Sequence, residues 1–351
     1  MPTRTRKFVE LAQRLETDIR DRNLQPGDRY FSTIDAAKML RVDTATANRA
    51  LQLLVKRNVI RRRQRVGTFI ADAREGDTPV LDQIHLMTRD DYPRIEGWLN
   101  PDAMLALQSE LPNVRIQFHS VPQDGEKEYM IETINAALKA PYPEGFVLTR
   151  SSLLMQRMMQ ASGLPVAVFG HPYPSLGDMP FVDRDQKHIG RLSAEYLLRH
   201  GHPRIAILMR QRMLPGDHLL IEGAREVAAE QGLGAGDFLV YCLSPDEDEV
   251  RFAVESILEA QVARTGFIAR SPTMARITWE LLGRVGPDGR RAASLVVTDY
   301  FEAASLPYPC IRTEDTVDSQ GRRLGRLIHD LACGLPFNGN GHLVPVRLRE
   351  V

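Results

Sequence analysis

Between Asp43 and Ala71 the chain reads DTATANRALQLLVKRNVIRRRQRVGTFIA, and few folds accommodate such a run. Asp43 suits the position before a helix, where its carboxylate accepts from the free amides of the first turn. Ala47, Ala50, Leu51 and Leu54 then recur at helical spacing and form one apolar stripe. Thr44, Ala45, Asn48, Arg49 and Gln52 fall on the other faces. Val59 to Arg63 and Gly67 to Ala71 have strand composition and are joined through Gln64, Arg65, Val66 and Gly67. A helix with a small, polar tip followed by a basic ribbon fits a helix that enters a DNA major groove beside a wing.

The charge distribution points the same way. Residues 1–72 contain 16 Lys and Arg against 8 Asp and Glu, a net of +8, and the remainder contains 29 against 37, a net of −8. The neutral total therefore conceals a basic head on an acidic body, the asymmetry of a nucleic-acid-binding module on a soluble carrier. With 351 residues the chain has room for two or three domains. No apolar run is long enough to span a bilayer, and the N-terminus leads into an amphipathic helix, so no membrane association is expected. Cys242, Cys310 and Cys333 are isolated and lack CxxC spacing, which fits a reducing cytoplasm rather than a disulfide framework or zinc site.

Phe8, Leu11, Ala12, Leu15 and Ile19 predict a first amphipathic helix over about 5–22. Turn residues 23–28 follow, then a short helix from Thr33 to Leu40 capped by Ser32, and Arg41-Val42 turns the chain into the helix described above. Helix, helix, turn, helix and ribbon make a winged helix-turn-helix. This segment resembles the DNA-binding domain of the GntR family of bacterial transcription regulators. The matching pieces are Leu24-x-Pro26-Gly27-Asp28, Ala37 and Leu40, Thr46 with Arg49-Ala50-Leu51, and Gly67-Thr68-Phe69. It departs from the family at Tyr30-Phe31-Ser32-Thr33-Ile34 and at Asp43-Thr44, where two usual DNA-contacting arginines are missing. The resemblance and the wing together assign DNA contact to Ser32, Thr33, Thr44, Ala45, Thr46, Asn48, Arg49, Arg61, Arg62, Arg63, Gln64, Arg65, Gly67 and Thr68.

Residues 73–80 are polar with Gly and Pro and read as a linker. Beyond them strand-like runs alternate with helices, the rhythm of parallel sheets covered on both faces. The strand-like runs are Leu81–Met87, Val114–Val121, Gly145–Thr149 and Pro165–Phe169, then Arg204–Leu208, Phe238–Cys242, Gly266–Ile268 and Ala293–Thr298. The core, 81–351, is expected to be α/β, doubly wound and two-lobed. Lobe 1 takes about 81–180 plus about 310–340, and lobe 2 takes about 181–305 plus the C-terminal strand. The run from Phe181 to Ala206, Glu222-Gly223, Ser294 to Asp299 and Leu343 to Leu348 resemble the effector-binding core of the LacI/GalR repressors, which has the fold of the periplasmic sugar-binding proteins. A GntR-like head on such a core is the architecture of arabinose-repressor-like regulators.

Ligands of open parallel sheets sit beyond the carboxyl ends of the strands. The residues expected there are Asp91, Tyr92, Arg150, His171, Arg210, Arg270, Asp299 and Tyr300, with Arg89 and Gln123 on the same rim. Asp299 matches the acidic residue that holds sugar hydroxyls in the resembled family. The usual arginine before Glu222-Gly223 is Leu220, and the usual Asn-Asp is Ser271-Pro272, so Arg210 and Arg270 make an anionic ligand conceivable.

Gly232-Leu233-Gly234-Ala235-Gly236 follows a helix and precedes a strand, the reverse of a nucleotide-binding order. His200-Gly201-His202 has no ligand at metal spacing, and no GxSxG or HExxH occurs. No cofactor, metal or catalysis is expected. The reading is a cytoplasmic, ligand-responsive transcription regulator, a repressor and homodimer, with two partners: double-stranded operator DNA of two-fold symmetry and a sugar or sugar derivative as effector. The alternatives are a ligand-independent architectural DNA binder and an enzyme on a Rossmann-like core.

Overall fold

The computed structural model describes residues 3–56, 59–63, 66–71, 80–90, 101–260, 264–284, 295–298, 306–314, 316–335, 337 and 341–351. The head has three helices, α1 (Thr3–Asp21), α2 (Thr33–Leu40) and α3 (Thr44–Lys56). Its strands are β1 (Arg29–Tyr30), β2 (Ile60–Arg63) and β3 (Gly67–Ile70), with β3 antiparallel to both others. Ser32 caps α2 by accepting from the Asp35 amide. Asp43 accepts from the Thr46 amide at 2.8 Å and the Thr46 hydroxyl at 2.7 Å, so α3 starts where the sequence places it. Arg41 closes α2 at φ 57°, turning the chain sharply enough for α3 to cross. The stripe Ala47, Ala50, Leu51 and Leu54 packs on Leu11, Ala12 and Leu15 of α1 and on Ala36, Ala37 and Leu40 of α2. Tyr30 on β1 closes this core from the sheet side and donates its hydroxyl to the Leu15 carbonyl at 3.1 Å.

Two six-stranded sheets form the core. The first contains β4 (Gln83–Arg89), β5 (Arg115–Val121), β6 (Glu144–Thr149), β7 (Val166–Phe169), β8 (Phe181–Arg184) and β14 (His342–Val344). Its order is β14-β8-β7-β6-β4-β5, and every neighbouring pair is parallel. The second contains β9 (Arg204–Arg210), β10 (Phe238–Leu243), β11 (Thr265–Ala269), β12 (Leu295–Val297), β13 (Cys310–Thr313) and β15 (Val346–Arg349). Its order is β10-β9-β11-β12-β13-β15, with only β13 and β15 antiparallel.

The inner strands of each sheet are buried on both faces, which is why they read as near-continuous apolar runs such as Ile205–Met209, whereas the edge strands β5 and β10 are partly exposed. Helices Pro101–Glu110 and Val317–Ala332 cover one face of the first sheet, and Glu126–Lys139 and Leu153–Ser162 the other. Helices Gln186–Arg199 and Pro215–Glu230 cover one face of the second sheet, and Glu247–Glu259 and Pro272–Arg284 the other. Strand pairing corrects the expected lobe limits. β8 lies in the first sheet although 181 was expected to open lobe 2, and β13 lies in the second although 310–340 was assigned to lobe 1. Pairing partners, not local composition, decide sheet membership. The chain crosses between sheets three times, after β8, after β13 and after β14. The crossings are tied together by Asp185 N–H to Val344 O at 3.1 Å and Glu314 N–H to Pro345 O at 2.9 Å.

Both lobes contain a helix pair brought together over glycine. A Cβ on Gly190 would lie 1.9 Å from the Leu220 carbonyl oxygen, and one on Gly223 would lie 2.0 Å from that of Lys187. In the first lobe a Cβ on Gly321 would lie 2.1 Å from the Ala103 carbonyl oxygen. Gly190→Ala must therefore force helices Gln186–Arg199 and Pro215–Glu230 apart. We expect about 1–3 kcal/mol of lost stability, the range for overpacking, in urea unfolding of the full chain. Gly236→Ala, which meets nothing within 4 Å, should unfold like the parent, and equal midpoints for the two variants would refute the close-packing account.

Candidate nucleic-acid interface and effector cleft

The structure gathers the polar head residues around one guanidinium. Arg62, on β2 and exposed, donates from one terminal nitrogen to Asn48 Oδ1 at 2.6 Å and from the other to Thr33 Oγ1 at 2.5 Å. The wing is thus tied to α3 and to the start of α2. Ser32, Thr33, Arg62 and Gly67 line one concave surface together with Arg22 and Arg29, two cations that the sequence reading did not assign to the interface. Gly67 has φ 139°, and a Cβ there would lie 3.3 Å from Arg29 Nε, so backbone and cation are in close approach. Thr44, Ala45 and Arg49 are exposed along the tip of α3, while the Thr46 hydroxyl is committed to Asp43. Arg61 is half-buried. Thr68 lines the same concave surface, although it is only 3% exposed because alternation along β3 turns most of its side chain inward. Gln64, Arg65 and the side chain of Arg63 lie outside the described residues.

In the core, five of the parallel strands end on arginine or are followed at once by it. These are β4 with Arg89, β6 with Arg150, β8 with Arg184, β9 with Arg210 and β11 with Arg270. Because the strands are parallel, these residues share the carboxyl rims of the two sheets. The rims meet. Arg184 of the first sheet donates to the Thr298 carbonyl beyond β12 at 2.8 Å, and Arg212 beyond β9 donates to Gln123 Oε1 beyond β5 at 2.5 Å. Gln123 Oε1 also accepts from Arg89 at 3.1 Å. Arg150 adopts φ 46°, in the left-handed region where a residue other than glycine is uncommon.

Arg210 and Arg270 converge on Asp217, which sits in the first turn of helix Pro215–Glu230 and is fully buried. Arg270 Nε donates to Oδ1 at 2.6 Å, Arg210 Nε lies 3.3 Å from Oδ2, and the Leu214 amide donates to Oδ2 at 2.8 Å. Burial pushes the Asp217 carboxyl upward, but Arg270, Arg210 and the Leu214 amide outweigh it, leaving its pKa below the ordinary value. Asp183, also buried, shows the opposite balance: desolvation raises its pKa despite a hydrogen bond from Gln186 and the nearby Arg184 and His171. His171 Nδ1 lies 3.8 Å from Asp183 Oδ2, and burial lowers the imidazole pKa against the pull of Asp183 and Asp185. Asp217, Asp183, Gln186 and Arg212 were absent from the sequence assignment. Asp91, Tyr92, Asp299 and Tyr300 lie outside the described residues.

Residues 102–294 match the family of periplasmic binding proteins and sugar-binding domains of the LacI family. The chain belongs to that family. Residues 8–70 match the gntR family of bacterial regulatory proteins, so a GntR-type DNA-binding head precedes the LacI-type core. The HTH-type transcriptional regulator AglR of Rhizobium meliloti (strain 1021) is 22% identical over 173 residues, 48% of this chain and 49% of AglR. The chain thus spans about half the length of that curated relative. Among solved structures, the transcriptional regulator CelR in complex with cellobiose superposes with a TM-score of 0.62 at 17% identity, over 88% of this chain and 90% of CelR. A LacI-family regulator from Enterococcus faecium with bound ribose gives 0.60 at 18% identity, over 77% of this chain and 97% of that one. At these identities the likeness is one of fold.

Among the described residues, no cluster of three or more His, Cys, Asp or Glu could hold a metal ion, and no helix is long and apolar enough to cross a membrane. Cys242 is exposed, and Cys310 and Cys333 are buried; all three are free thiols.

Proposed function

We propose that this LacI-family chain is a cytoplasmic transcription repressor. It binds a two-fold-symmetric operator as a homodimer, and a sugar or sugar derivative bound between its lobes controls its DNA affinity. The observation that carries this reading is the joining, in one chain, of a GntR-type head to a two-lobed LacI-type core. The core's strand ends meet across three chain crossings, a geometry that permits closure on a ligand. CelR and the Enterococcus faecium regulator hold cellobiose and ribose, which supports a sugar-class effector.

Thr44, Ala45, Asn48 and Arg49 meet base edges or phosphates in this reading, and Ser32, Thr33, Arg61 and Arg62 hold the backbone beside the wing. His171, Arg150, Arg210 and Arg270 serve the effector. A ligand with different affinity for the open and closed cleft shifts head spacing and thereby DNA affinity. The test is selection of bound fragments from the source genome by the full-length protein at near-physiological salt. A symmetric site released by a sugar-class compound is the expected result. Sequence-blind binding insensitive to every such compound would replace this reading with an architectural one.

A further inference from the structure

The concave surface between the start of α2 and the wing is cationic, yet two of its side chains are exposed aliphatic groups. Ile34, 60% exposed, lines it from the first turn of α2, and Val66, 54% exposed, lines it from the wing, together with Arg22, Arg29 and Arg62. Neither aliphatic side chain belongs to the packed core of the head, so folding gives no reason for either. One exposed aliphatic residue is ordinary on a protein surface, but two on a single cationic surface belong to what that surface does. The cations suit phosphates, which position a protein on the duplex without reading its sequence. Arg22 stands over the Phe31 ring, 4.9 Å from its centroid, and Arg29 lies against Gly67 of the wing. Asp35 lines the surface as well, but its carboxylate accepts the Ser32 hydroxyl at 2.7 Å within the cap of α2.

A second observation places Ile34 beside the reading helix. The Arg62 guanidinium spans Thr33, the residue before Ile34, and Asn48 of α3. The first turn of α2 and the polar side of α3 therefore meet through one group, and Ile34 borders the bases that α3 reads. An aliphatic side chain reads no hydrogen-bonding group. The apolar feature that a base pair presents in the major groove is the C5 methyl of thymine. We propose that Ile34 is a specificity-determining residue that packs on a thymine methyl next to the bases met by α3, an inference that rests on the DNA-binding reading of the head.

The test replaces each thymine of the selected operator in turn by deoxyuridine, which removes the methyl and keeps every hydrogen-bonding group, and measures binding of the full-length protein by anisotropy. At one thymine in each half-site the parent should lose roughly fourfold in affinity, the worth of one buried methyl group, and roughly fifteenfold when both half-sites are replaced. Ile34→Ala should weaken binding to the thymine operator by at least as much and then bind the uracil operator no more weakly than the thymine one. It should melt with the parent, because the side chain it shortens is exposed. Val66→Ala, on the wing side of the same surface, should keep the full response to uracil. Uracil tolerated at every thymine, or an Ile34→Ala variant that still loses the parental factor on uracil, would overturn the methyl contact while leaving the DNA-binding reading intact. Failure to select any operator would overturn the DNA-binding reading, and the assignment of Ile34 with it.

Discussion

Asp217→Ala should destabilise the core by about 3–5 kcal/mol, the loss found when one partner of a buried charge cluster is removed. The reason lies in what remains: Arg270, 7% exposed at its side chain, and Arg210, 12% exposed, would face each other without their shared carboxylate. The Leu214 amide would also lose its acceptor at the start of helix Pro215–Glu230. At roughly 2–4 °C per kcal/mol for a domain of this size, the melting temperature should fall by about 10 °C. The sign of the pH dependence follows from the lowered pKa of Asp217. The carboxylate's contribution is fully present above the ordinary carboxylate range and is lost as pH falls through the lower, folded-state value. The gap in melting temperature between parent and variant should therefore narrow on acidification below about pH 4. A gap that stays constant, or a variant that melts with the parent at pH 7, would show that the trio is not a charge clamp.

Arg62→Ala is expected to have the largest effect on DNA. Arg62 supplies a cation at the wing and also fixes Asn48 through its Oδ1 and Thr33 through its hydroxyl. A lost contact of this kind costs about 1–3 kcal/mol per head, so a two-headed complex should weaken by about 2–6 kcal/mol. The slope of affinity against salt should flatten by roughly one unit per head. Arg62→Lys separates the two roles, because lysine keeps the charge and loses the planar fork that spans Asn48 and Thr33. It should keep the slope and still bind more weakly at the specific site. Since Arg62 is exposed, melting should change by no more than about 0.5 kcal/mol, which excludes unfolding as the cause. Anisotropy titrations on the selected operator read both quantities, and an alanine variant of parental affinity would remove Arg62 from the interface.

Much of the architecture was legible along the chain, and the misses share a cause. α2 begins and ends where the sequence analysis puts it, at Thr33 and Leu40, since apolar periodicity and caps are local signals. β1 was missed because a strand of two residues exists only through its pairing with β3. Helix Val317–Ala332 has no counterpart in the sequence analysis, which gives 310–340 to lobe 1 without an element, although Leu324, Leu327, Ile328 and Leu331 carry its spacing. At the cleft, Arg210 and Arg270 could be chosen because strand ends are ligand positions. Asp217 carries no such local mark, because its partner Arg270 lies 53 residues further along the chain.

By itself the sequence determined the winged helix-turn-helix head, the two-lobed α/β core and the basic character of the reading helix and wing. These follow from composition, periodicity and short motifs, each contained within a few residues. Only the tertiary structure decided that Arg62 holds Asn48 and Thr33, that Asp217 gathers two arginines, and that Gln123 accepts across the lobes. Hydrogen bonds and ion pairs act over about 3–4 Å, so they depend on which strand ends the sheet order brings together, a property of the folded chain that no local stretch encodes.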